Sequence, residues 1–259
     1  MSISSSEIEE LRLAKGSLEN PGLAVKISNV VGSPIEKGIR FLPAKWKPMV
    51  VDATRKSIDA ALDAAIRTID VNSTRKASAL WHKVAVGTTG AAGGAFGLAA
   101  LVIELPVSTT IMLRSIADIA RSEGEDIRAP ASRLECIQVL ALGGESAKDD
   151  AAEAGYFAAR AAMAKAVSDA LRHIAEKGIL ERGAPAIVSL IGAVASRFSI
   201  SVSQKAAAQA IPLLGAVGGA VINTVFIDHF QRMARGHFVV RRLERVHGTD
   251  EVKRAYQEL

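Results

Sequence analysis

Val84-Ala85-Val86-Gly87-Thr88-Thr89-Gly90-Ala91-Ala92-Gly93-Gly94-Ala95-Phe96-Gly97-Leu98-Ala99-Ala100-Leu101-Val102-Ile103 is a run of twenty residues without a charge. Its centre, from Gly90 to Phe96, returns later as Gly215-Ala216-Val217-Gly218-Gly219-Ala220-Val221. Each copy ends in an isoleucine and an acid, Ile103-Glu104 and Ile227-Asp228, the acid lying fourteen residues after the first glycine in one copy and thirteen in the other. A glycine inside a helix costs roughly 1 kcal/mol relative to alanine, so helices this rich in glycine need a compensating contact. Small residues four apart supply one: Gly90 and Gly94, like Gly215 and Gly219, leave room on one face for a second helix to approach closely. The expectation is an all-α protein, a single multi-helix bundle around two central glycine-rich apolar helices.

Composition points the same way. The chain has 259 residues, 49% of them apolar, enough for a sizeable core and too many for a disordered chain. Aromatics make up 4%, and alanine stands where strands would need β-branched and aromatic side chains. Ser6 followed by Glu9 predicts a short helix ending near Gly16, and Asn20-Pro21-Gly22 a turn. Ser33-Pro34-Ile35-Glu36 predicts a helix ending before Pro43. Apolar residues at three- and four-residue steps predict an amphipathic helix from Pro48 to about Asp70. Pro106 should interrupt the first glycine-rich helix, with another continuing to Gly124. Further helices are expected over 130–142, closed by Gly143-Gly144; from a cap at Ser146 to Lys177; from Pro185 through residues 198–203; and from about Leu213 to Val246. No linker-like stretch divides the series, so the chain reads as an N-terminal helical arm over 1–47 and one helical domain over 48–259.

The formal charge of +5 favours acidic partners, and its distribution is more telling than its size. Arg241, Arg242 and Arg245 gather near the C-terminus, and basic residues stand by the two tryptophans, as Lys45-Trp46-Lys47 and Trp81-His82-Lys83. An indole beside lysines suits a lipid headgroup layer, so these five residues are membrane-surface candidates, with anionic lipid as partner. Twenty helical residues give about 30 Å, enough to span a bilayer. Yet residues 84–103 hold only seven strongly apolar side chains, worth about 2–4 kcal/mol, and the adjoining Glu104 would cost about 2.5–3.5 kcal/mol at mid-bilayer. Peripheral contact is expected ahead of a fully soluble bundle and of spanning. The N-terminus lacks a secretory signal and the single Cys136 has no partner, so the expected location is the cytoplasm, at the inner face of the plasma membrane. The basic tail has too few aromatics, and no groove-reading motif, for sequence-specific nucleic acid.

A search for chemistry returns little. The glycine runs lack the lysine and hydroxyl of a phosphate-binding loop, Ser146 lacks the glycine and strand of a nucleophile elbow, and Ser73-Thr74-Arg75-Lys76 stands without companion motifs. No catalytic residue, cofactor or metal is expected. If the two runs pack as a pair, Glu104 and Asp228 come from equivalent ends and need a shared proton, a cation, or Arg114 or His229 as partners. Those four residues form a candidate buried polar cluster; otherwise both acids sit in water at the margins of their helices.

These residues together resemble the EcsC family of bacterial proteins over roughly residues 48–240. The resemblance rests on the glycine-rich stretch 87–97, Glu104-Leu105-Pro106, Leu113-Arg114, residues 124–126, and Ile211-Pro212 through Gly219, Asn223 and His229. Glu104 stands where an aspartate is expected before Leu-Pro. The resemblance implies an association with ABC-type export systems and no established activity. The function expected is that of a non-enzymatic, membrane-proximal accessory protein assisting transport, secretion or envelope processes, with membrane transport proteins as possible partners. The alternative is an enzyme, or a lipid- or small-ligand-binding module, with a buried acid, arginine and histidine pocket.

Overall fold

Ser4, two residues earlier than the capping box read from the sequence, starts the first helix. Its backbone N–H and hydroxyl donate to Glu7 Oε2 at 2.8 and 2.7 Å. The helix that follows, α1 (Ser5–Glu19), runs through Gly16 instead of stopping there. The computed structural model describes residues 3–19, 22–32, 38, 42, 45–67, 98–143, 155–177, 183–210 and 215–259. Nine helices and no strand occur among them. The others are α2 (Leu23–Val31), α3 (Trp46–Arg67), α4 (Leu98–Ser122), α5 (Pro130–Leu142), α6 (Gly155–Lys177), α7 (Pro185–Gln209), α8 (Gly215–His247) and α9 (Thr249–Glu258). The repeat glycines Gly90 and Gly94, Trp81, the Ser146 cap and most of the helix expected before Pro43 lie outside the described residues.

Three further helices differ from the reading of the sequence. Helix α4 passes straight through Pro106, where an interruption was expected. A proline inside a helix removes one N–H and crowds the preceding turn, a cost that packing can offset. Here α4 lies along α3 and against α8, with Leu105 and Met112 buried on either side of the proline. Helix α2 starts directly after Gly22 and is amphipathic, burying Leu23 and Ile27. Helix α9 adds a last amphipathic segment of nearly three turns, anchored by Val252 and Tyr256.

The long α8 is the axis of the bundle. It packs against α1, α2, α4, α5, α7 and α9, and Phe226 and Phe230 on its inner side meet Phe198 of α7 at ring centroids 6.0 and 5.3 Å apart. The N-terminal segment shares this core, since Leu11, Ala14 and Leu18 of α1 are buried against it. Gly236 is what lets α1 come so close. A Cβ there would stand 2.7 Å from Leu18 Cγ and 2.9 Å from the Ala14 carbonyl oxygen, and the backbone atom cannot swing aside. Gly192 of α7, by contrast, has nothing within 4 Å. Gly236→Ala is therefore expected to cost about 1–3 kcal/mol of overpacking, while Gly192→Ala is neutral or stabilising by up to about 1 kcal/mol. Thermal unfolding of the two variants checks this, and equal midpoints would contradict the close approach of α1.

Candidate functional site

Lys205 is the most deeply buried charged group described. It lies on α7 next to the run of buried alanines Ala206, Ala207 and Ala208, and its side chain is 0% exposed. A lone ammonium in such a place needs a partner, and Glu104 of α4 provides it, with Lys205 Nζ donating to Glu104 Oε2 at 2.8 Å. The other carboxylate oxygen, Oε1, accepts from Asn223 Nδ2 of α8 at 3.0 Å. The ammonium also sits 5.0 Å from the centre of the Phe226 ring. Burial pushes the Lys205 ammonium below its ordinary value, and the Glu104 charge opposes the shift. One lysine, one acid and one amide thus tie three helices at a dry point.

This arrangement corrects the expected polar cluster. Glu104 is buried, but its described partners are Lys205 and Asn223. Arg114 lies ten residues further along α4, about 15 Å at helical rise, and is exposed. Asp228 is five residues beyond Asn223 on α8, about 7.5 Å along the axis and about 140° around it, and pairs with Arg232 at 2.7 Å. The helical period thus turns Asp228 away from the side of α8 whose Asn223 meets Glu104. The four residues therefore do not form one pocket.

His229 occupies a second junction. Its Nε2 lies 3.0 Å from the carbonyl oxygen of Gly143 at the end of α5, and its Nδ1 3.3 Å from Lys26 Nζ of α2. Burial, helped by the nearby Lys26 ammonium, brings its pKa down to about 4 against the pull of the Gly143 carbonyl. The ring is neutral at pH 7, donating through Nε2 and accepting at Nδ1. Ser201 of α7 donates to the same carbonyl at 2.9 Å. Gly143 is needed because a Cβ there would lie 2.4 Å from the Phe230 ring.

The C-terminal half of α8 carries a larger network. Tyr156 of α6 lies 2.9 Å from His237 Nδ1, and His237 Nε2 lies 3.0 Å from Glu135 of α5. Arg241 reaches both Glu125 at 2.9 Å and Glu135 at 3.0 Å. Arg160 grips Glu244 through two bonds of 2.7 and 3.1 Å. Arg242 pairs with Glu123 at 3.0 Å and with Glu10 of α1, and Arg245 pairs with Glu125. Burial alone would raise the carboxyls of Glu125 and Glu135. The hydrogen bond of Arg241 to Glu125 and that of His237 to Glu135, with the arginine charges, hold both below the ordinary range. Burial lowers the pKa of His237 and raises that of Tyr156.

Arg241, Arg242 and Arg245 were read from sequence as a lipid-facing cluster, and the structure commits all three to carboxylates. Their acids lie more than a hundred residues away in the chain, which is why periodicity could not reveal the pairing. Trp46 is half-buried against the core with Lys47 Nζ 5.9 Å from its ring, while Lys45, Lys47, Met49 and Val51 around it are exposed. Gly219 is buried on α8, and Gly215 is its first residue. The one helix among those described that is long and apolar enough to cross a membrane is α7, with a mean hydropathy of 1.6 over eighteen residues, half of them buried in the bundle. No group of three His, Cys, Asp or Glu residues able to hold a metal occurs among the described residues.

Comparison with known proteins gives one match. A family model described as the EcsC protein family matches residues 5–243, nearly the whole chain and further toward the N-terminus than the motifs recognised in the sequence. No curated protein and no solved structure matches the chain.

Proposed function

Since the chain belongs to the EcsC protein family, we propose that it is a non-enzymatic helical accessory protein working at the cytoplasmic face of a membrane, in support of ABC-type transport, secretion or envelope processes. The observation that carries the reading is the outer face of α3. Met49 and Val51 are 47% and 45% exposed at its two margins, with Lys45, Lys47 and Arg55 exposed nearby and Lys56 paired to the exposed Asp52. Exposed apolar side chains among cations on an amphipathic helix suit a surface of anionic lipid, the apolar groups entering the headgroup boundary while the cations meet phosphate. The buried charges described above are engaged with one another between helices, which suits a scaffold.

Sedimentation with vesicles tests the reading. The protein is expected to pellet with phosphatidylglycerol vesicles at low salt, to be released by salt, and to bind phosphatidylcholine vesicles poorly. Each cation near an anionic surface contributes about 1 kcal/mol, so Lys45→Glu with Lys47→Glu should weaken binding at least tenfold, or about 1.4 kcal/mol. Equal sedimentation with both vesicle types at high salt would overturn the electrostatic surface, and retention through alkaline extraction would overturn peripheral contact.

A further inference from the structure

Beyond its exposed apolar end, the same face of α3 continues into a cleft of ≈ 500 Å³. One wall carries Asp52, Arg55, Lys56 and Asp59; Val188 and Ile191 of α7 form an apolar floor. The charges are balanced and ordered. Lys56 is held by Asp52 at 2.8 Å, whereas Arg55 and Asp59 enter no ion pair among the described residues. Residues four apart on a helix have Cβ atoms about 6 Å from each other, so Arg55 and Asp59 rise from neighbouring positions on the α3 wall of the cleft. A purely anionic ligand would meet Asp59 unfavourably, and a purely cationic one would meet Arg55. A molecule carrying both charges on a short arm satisfies each.

We propose that this cleft seats the headgroup of a membrane phospholipid bearing a primary ammonium, with its phosphate on Arg55, its ammonium on Asp59 and the short carbon arm between them over Val188 and Ile191. Guanidinium matches phosphate through paired N–H donors, and a primary ammonium has N–H groups for a carboxylate that a trimethylammonium lacks. The proposal rests on the membrane reading above, because the headgroup is presented by the surface on which Met49 and Val51 dock. It adds a chemical selectivity that lysines alone would not give.

The test uses the full chain and vesicles with a fixed share of phosphatidylglycerol, the remainder being either phosphatidylethanolamine or phosphatidylcholine. Wild-type protein is expected to bind the ethanolamine vesicles about three- to tenfold more tightly. Asp59→Asn should erase that preference and keep salt-sensitive binding, while Arg55→Gln should erase it and weaken binding to both. Thermal midpoints equal to wild type show that these variants fold. Equal wild-type binding to the two compositions would overturn the proposal and leave the membrane reading standing. A preference that survives both substitutions would also overturn it, since bilayer packing and not the cleft would then be responsible. Failure to bind any of the vesicles would overturn the membrane reading, and the proposal with it.

Discussion

Lys205→Met is expected to destabilise the protein by about 3–5 kcal/mol, because it leaves the Glu104 carboxylate buried without its ammonium. Glu104→Leu should be costly for the mirror-image reason, leaving the ammonium unneutralised at a site where it is 0% exposed. The double variant is the informative one. Replacing both members by apolar side chains of similar volume removes the desolvation cost together with the attraction, so most of the stability should return. Urea unfolding of the three variants measures this through the transition midpoints. Additive losses in the double variant would mean that the two side chains are not coupled, and the dry junction of α4, α7 and α8 would have to be abandoned.

Acid should loosen the fold well before its carboxylates are protonated. His229 has a folded pKa of about 4 against an unfolded value of about 6.5, so the folded protein binds fewer protons than the unfolded chain between those limits. A depressed pKa contributes stability that is fully present above the unfolded value and is lost as pH falls toward the folded one. The loss attributable to His229 amounts to about 3 kcal/mol between pH 6.5 and pH 4. His237, also lowered by burial, adds to the same slope. Glu125 and Glu135, held low by arginines and His237, extend the loss below pH 4.5 as they are protonated. His229→Gln retains a donor for the Gly143 carbonyl and an acceptor for Lys26 but has no proton to gain. Its unfolding free energy should therefore fall less steeply between pH 6.5 and 4 than that of wild type, and an identical slope would remove His229 from the account.

Much of the helical architecture was legible because its signals are local. Pro130 and Pro185 each open a helix, where a missing N–H costs nothing, and Gly143 closes one. The stretch 198–203, whose alternation of apolar residues and serine hints at a strand, belongs to α7, in keeping with the helical patterns on either side of it. Pro106 misled because interruption is a local tendency, whereas the packing of α4 is a tertiary fact. The polar junctions were less legible. Lys205 carries no local mark of burial beyond the small residues that follow it, and its acid partner is 101 positions away. The arginines near the C-terminus looked like a surface cluster for the same reason. Glu104 was singled out, but its partners are a lysine and an amide that neither the repeat nor the helical period could supply. The α3 face was partly visible in Lys45-Trp46-Lys47, although Trp46 itself turns inward and leaves Met49 and Val51 outside.

Site-specific labelling tests the membrane-facing role of α3 most directly. Cys136 is buried, and burial also raises the pKa of its thiol, so a cysteine introduced on the surface can be labelled selectively. An environment-sensitive fluorophore at Met49→Cys should shift to the blue on addition of phosphatidylglycerol vesicles and be quenched by quenchers carried in the lipid. The same fluorophore at Leu13→Cys, which is more exposed than Met49 and lies on α1, should stay in water and show neither change. A blue shift at both positions, or at Leu13→Cys alone, would contradict the orientation in which α3 meets the membrane.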